Sequence, residues 1–176
     1  PERAAAVAAV CQGQMSRALD YVDTDKRETV LAFAQRLDAR EDPLALAEEF
    51  TGQLKSQQEA LKQVIKAAAD DEADADLSRE DKKEQEDALE AAAQALLRQD
   101  LMEYLYLFSA WYRDALVYQT TRTPERVLNV DRQDRLAACG TVSPDHLLAV
   151  EKAWLHIERN LRMERVFRDL FFALAP

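Results

Sequence analysis

The sequence predicts an all-α protein, a bundle of about six to seven helices, on three observations. Glycine occurs only at Gly13, Gly52 and Gly140 in 176 residues, and the five prolines sit at chain ends or beside plausible helix starts. Helix formers such as Ala, Leu, Glu and Gln are abundant. No run of alternating β-branched residues reads as a strand. With 48% apolar residues the chain can bury a real core. Its length suits one domain, or one domain with a fragment of another.

Residues 2–11 read as a short alanine-rich helix. Gly13 then suits the left-handed position after a helix end, and Ser16 suits the N-cap of the next helix. Residues 24–39 form a third helix, with Val30, Phe33, Ala34 and Leu37 on one face. Asp42-Pro43 opens another, placing proline where its missing N–H costs nothing. That long helix carries Leu44, Leu46, Ala47, Phe50, Leu54, Leu61, Val64 and Ile65 to about Ala69. Gly52 inside it costs about 1 kcal/mol relative to alanine and counts against continuity.

Residues 70–76 are a polar break. Ser78 caps the next helix, with Asp81 close enough to favour its N-terminus. That helix can continue to about Thr121, and ~44 residues would span roughly 66 Å. Such a length exceeds a compact domain of this size. Either the helix bends, or it overhangs and forms an arm with the preceding helix, about residues 55–95. Within it, residues 97–119 are the densest apolar and aromatic stretch. Leu101, Tyr104, Leu105, Phe108, Trp111, Tyr112 and Ala115 fall in an arc of about 120°. Leu107 and Tyr118 flank the arc on one side, Met102, Tyr106 and Val117 on the other, so the helix packs on several sides. One charged pair, Arg113-Asp114, is set into it.

Thr123-Pro124-Glu125 is a helix start or a turn. Asn129-Val130-Asp131 follows, then a short helix to Cys139 that stops at Gly140. Ser143-Pro144-Asp145 opens the next helix, where Leu147, Val150, Trp154, Ile157 and Leu161 repeat at three- and four-residue steps. Asn160 tolerates the left-handed conformation that ends it. The last helix turns Met163, Val166, Phe167, Leu170, Phe171 and Leu174 inward, with Arg162, Arg165 and Arg168 outward.

The formal charge of −10 argues against non-specific binding to nucleic acid or anionic membrane. Residues 70–90 alone hold eleven acids and three bases, so the acidity is mostly local. This run reads as a solvated loop and helix face; it lacks the central glycine of a calcium loop. Two cysteines are too few for a disulfide scaffold and fit a reducing compartment. No apolar run approaches 18 residues and no signal peptide is present, which excludes a membrane span and points to the cytoplasm. The start at Pro1, without methionine, suggests an excised piece of a longer chain or N-terminal processing.

An enzyme needs converging polar groups, and the motifs for them are missing. There is no glycine-rich phosphate loop. Cys11, Cys139, His146 and His156 lack the spacing of a zinc site. Neither histidine follows a glutamate by three residues, so the di-iron pattern fails too. His156, between Leu155 and Ile157, reads as a structural residue rather than a base. Arg159, Arg162, Arg165 and Arg168 alternate with Glu158, Glu164 and Asp169, the pattern of a salt-laced exposed face. No catalytic residue, cofactor or metal is expected.

The segment Trp111-Tyr112-Arg113-Asp114-Ala115-Leu116, followed by Asn129-Val130-Asp131, resembles the C-terminal domain of the delta-prime subunit of the bacterial DNA polymerase III clamp loader. That family often joins an aromatic or leucine-rich helix bearing Arg-Asp to an Asn-x-Asp. It then closes with a helix ending near an asparagine, here Asn160, and a last apolar helix. Gly13-Gln14-Met15-Ser16-Arg17-Ala18-Leu19 is similar to the turn closing the small helical lid of these AAA+-related subunits. Gln14 and Ser16 depart from its usual serine and second glycine, which puts nucleotide sensing by Arg17 in doubt.

The resemblance implies a lid remnant, residues 1–22, carrying a vestigial turn at Gly13, Ser16 and Arg17, joined to a helical collar domain, residues 23–176. It implies a non-catalytic assembly role in DNA replication, within a parent that belongs to the DNA polymerase III holoenzyme. The partners would be the delta and gamma/tau subunits in a hetero-pentamer, with DNA touched only indirectly and no membrane. The alternatives are the collar of the gamma/tau subunit or an unrelated helical adaptor. Met102, Tyr106 and Arg113, off the main arc, are candidates for intersubunit contact; equally, a second layer of the same chain covers them. Arg113 and Asp114 pair locally, or with Asn129 and Asp131 to fix the loop. Trp111 and Asn160 complete the candidate structural and interface set.

Overall fold

The apolar periodicities resolve into helices in the order expected. The structure, a computed structural model, describes residues 2–11, 21, 24–72 and 79–176. Among the described residues there are seven α-helices and no strand: α1 (Glu2–Val10), α2 (Lys26–Asp38), α3 (Pro43–Glu72), α4 (Arg79–Thr121), α5 (Gln133–Ala138), α6 (Pro144–Glu158) and α7 (Met163–Leu174). Two single 3-10 turns, Pro124–Arg126 and Val130–Arg132, link α4 to α5. The all-helical prediction holds. The Gly13 and Ser16 joint and the Ser78 cap lie outside the described residues.

The core is one cluster to which every helix contributes, the short α5 through Leu136 alone. All seven residues of the α4 arc are buried, as are the predicted faces of α2 and, apart from half-buried Met163, α7. Phe50 of α3 sits at its centre with no exposure. Its ring meets Phe33 of α2 at 5.1 Å, Tyr104 and Phe108 of α4 at 5.3 and 5.8 Å, and Phe167 and Phe171 of α7 at 4.8 and 5.5 Å. Edge-to-face and tilted rings at these distances add to simple burial. Together with these rings, the Gln57–Tyr104 hydrogen bond and the Lys55–Glu164 ion pair set α3 antiparallel to both α4 and α7.

Gly52 does not interrupt α3, which runs on to Glu72. Beyond Leu61 in α3, and before Ala93 in α4, the described side chains are mostly exposed, Val64 at 66%. The charged ends of the two longest helices thus lie outside the core. Asn160 takes φ +58°, the left-handed stop expected of it. Arg40 (φ 62°) and Arg122 (φ 54°) also adopt this conformation, at helix ends that carry no glycine or asparagine signal. Pro124 opens only a single 3-10 turn rather than a helix.

Candidate functional site

A carboxylate inside the apolar core of a bundle must be paired or hydrogen-bonded, because burying an unpaired charge is prohibitive. Asp114 is completely buried on α4. Its Oδ2 accepts the backbone N–H groups of Leu128 and Asn129, at 2.8 and 2.7 Å, and the Asn129 side-chain amide at 2.8 Å. Its Oδ1 accepts Arg113 Nη1 at 2.7 Å, and the same nitrogen donates to the Arg126 carbonyl at 3.0 Å. One helical Arg-Asp pair therefore anchors the middle of the link after α4, taking the N–H groups of Leu128 and Asn129 and the carbonyl of Arg126.

Asn129 carries the network onward. Its Oδ1 accepts Nε and Nη2 of Arg27 at 3.2 and 2.8 Å. The same guanidinium grips Asp131 with two bonds, Nη1 to Oδ2 at 3.0 Å and Nη2 to Oδ1 at 2.6 Å. Arg27 is 3% exposed, on α2 about a hundred residues away in sequence. Its planar fork suits a carboxylate in a way that lysine does not match. The network holds two arginines and two aspartates, so its formal charge cancels. Next to it, Arg132 Nη2 donates to both oxygens of Glu28 at 2.9 Å.

The structure thus brings Arg113, Asp114, Asn129 and Asp131 into one polar joint, and adds Arg27, which sequence reasoning missed. The signal was available. Arg27 stands three residues before Val30 and seven before Ala34, on the apolar stripe of α2, where a charge demands a partner.

The other candidates lie elsewhere. Tyr106 is half-buried on the flank of α4, and its hydroxyl donates to the Val10 carbonyl at 2.5 Å. Helix α1 rests there and on the second 3-10 turn, burying Ala6, Val7 and Val10. Met102 packs half-buried against the core, and Trp111 is buried beside a cleft of about 290 Å³ lined by Asp38, Arg135 and Cys139. The Cys139 thiol is pushed up to about 11 by burial and by the charge of Asp38. At neutral pH it is a protonated, poor nucleophile. The Asn160 side chain accepts a hydrogen bond from Arg98. Gly13, Ser16 and Arg17 lie outside the described residues.

His146 stacks on Tyr112 (5.4 Å, 20°) and serves with Ser143 in the capping box that starts α6. The cavity beside it is only about 10 Å³. His156 is half-buried on the same helix. Among the described residues no three His, Cys, Asp or Glu side chains are grouped to hold a metal, and no helix is long and apolar enough to cross a membrane.

A family model described as DNA polymerase III, delta subunit, C terminal matches residues 76–172, more than half of the chain. The match takes in α4 to nearly the end of α7, and with them the four joint residues first visible in the sequence. No curated protein matches the chain, and no solved structure matches it.

Proposed function

The chain belongs to the family formed by the C-terminal domain of the DNA polymerase III delta subunit, and from that premise we propose that it is a non-catalytic assembly domain of the clamp loader, of delta-prime type. One observation supports this reading above the others: the Arg-Asp and Asn-x-Asp elements that carry the delta-prime resemblance meet in a single joint around the buried Asp114. A network so fully satisfied rigidifies the connection between a long helix and the short elements after it. Rigid helix faces are what a stable multi-subunit ring requires. In this reading residues 1–22 are the end of a lid segment, residues 23–176 the collar, and the ends of α3 and α4 an arm reaching out from it. The partners are the other loader subunits, the setting is cytoplasmic DNA replication, and DNA is met only through the assembly.

The reading is tested by mixing the chain with the remaining loader subunits and weighing the complexes by light scattering. Assembly is expected when the delta-prime subunit is withheld. Completion of a mixture that lacks delta instead would move the chain to the delta type. Failure to enter any complex, with helicity intact by circular dichroism, would remove the assembly function.

A further inference from the structure

Residues of α3, of α7 and of the turn before α7 line an open cleft of about 600 Å³ that includes none of the residues of the polar joint. Its floor is Leu44, Ala47, Thr51 and Gly52 of α3. Glycine is the poorest helix former after proline, and nothing in the fold requires one here. Nothing lies within 4 Å of the place where a Cβ of Gly52 would stand. A backbone left bare toward open space lets another backbone approach closely.

The walls have a definite chemistry. Lys55, Arg162, Arg165 and Arg168 line the cleft, against the acids Glu48 and Glu164. The lining thus holds four cations to two acids, a local positive excess on a chain of net charge −10. Two of these cations share Asp169, at 3.9 and 3.4 Å, and Lys55 meets Glu164 at 2.7 Å. Such exposed pairs hold their partners weakly and can exchange them. At one end the surface turns apolar. Leu44 is 39% exposed and Phe172 is 54% exposed, and the antiparallel packing of the two helices brings these residues to the same end. Phe172 continues the stripe of Arg165 and Arg168 on α7. The cleft carries no aromatic platform along its length, which single-stranded nucleic acid would use for stacking.

We infer that this cleft is a docking groove for an acidic amphipathic helix of a partner protein, seated over Gly52 with its carboxylates toward the arginines and an apolar anchor against Leu44 and Phe172. Residues 44–55 of α3 offer ~17 Å of floor, about three turns of such a helix. This is the helix-in-groove mode of recognition, with charge complementarity setting the partner's character. The inference is independent of delta or delta-prime type.

The experiment uses the whole chain and a fluorescein-labelled 18-residue helical peptide, glutamates along one face and two leucines at one end, followed by anisotropy. Saturable binding is expected, weakening at least fivefold between 50 and 200 mM salt. Arg165→Glu with Arg168→Glu, and separately Gly52→Leu, should each raise Kd at least tenfold while circular dichroism stays unchanged and the melting temperature of Gly52→Leu does not fall. A peptide with glutamine in place of glutamate should bind at least tenfold more weakly. No saturable binding, or binding indifferent to both variants, would overturn the proposal. Tighter binding of an 18-residue oligothymidylate, lost in the arginine variant, would assign the groove to nucleic acid and overturn it too. So would salt-sensitive dimers abolished by Gly52→Leu, which would make a second copy the occupant.

Discussion

Arg27 has the most at stake of any single side chain. It is the only link among the described hydrogen bonds from α2 to both Asn129 and Asp131. Arg27→Met would leave the Asp131 carboxylate with only the 4.0 Å contact to Arg132, and breaking a buried pair from one side costs about 3–5 kcal/mol. Arg27→Lys keeps the charge but loses the fork, and should cost less, about 2 kcal/mol. Urea unfolding of the three proteins checks the order.

Two glycines make opposite predictions. At Gly140 an added Cβ would stand 2.3 Å from Asp38 Oδ1, which accepts the Gly140 N–H at 2.7 Å. Gly140→Ala must displace that carboxylate and should cost about 1–2 kcal/mol. Gly52→Ala meets open space in mid-helix and should stabilise by about 0.5–1 kcal/mol. Thermal melts should move in opposite directions. Position in the sequence marks Gly140 as a helix stop, but only the fold puts Asp38 against it.

Among the elements, α3 is held to its neighbours by core rings and, at its surface, by ion pairs. Hydrogen bonding to Lys55 holds the Glu164 carboxyl below its ordinary range. Arg36 does the same for Glu49. A carboxylate with a lowered folded pKa adds stability above the unfolded value, and that stability is lost as pH falls through the folded value. The melting temperature should therefore fall with pH from the ordinary glutamate range, near 4.5, downward. Lys55→Met should narrow its difference from the parent protein over the same interval. Both pairs are exposed, so the effect is small and should shrink further in salt. Helix faces of this kind are legible from periodicity, as α2, α4 and α7 show. The link around the short turns at Pro124 and Val130 is less so, because Asp114, distant from it in sequence, takes the N–H groups of Leu128 and Asn129 between the two turns.

On the scale of the whole molecule, stability is unevenly distributed. The aromatic cluster around Phe50 ties α2, α3, α4 and α7 together. Residues 62–72 and 79–92 extend past it, with mostly exposed side chains where these are described. Native-state hydrogen exchange should find residues 101–119 most protected and those two stretches least, because local opening there gives up little burial. Equal protection along α4 would show that something else covers its charged end.

Composition and helical periodicity were enough to determine the fold class, the helix order, the buried faces of α2, α4 and α7 and the left-handed stop at Asn160, because each depends on local geometry and on which residues avoid water. The same residues carried the family likeness. What only the tertiary structure decided is how polar groups distant in sequence find one another. Arg27 meets Asn129 and Asp131 across a hundred residues, and Tyr106 meets the carbonyl of Val10. Burial makes such partners obligatory, but the sequence does not say which residues they will be. That is settled when the helices pack.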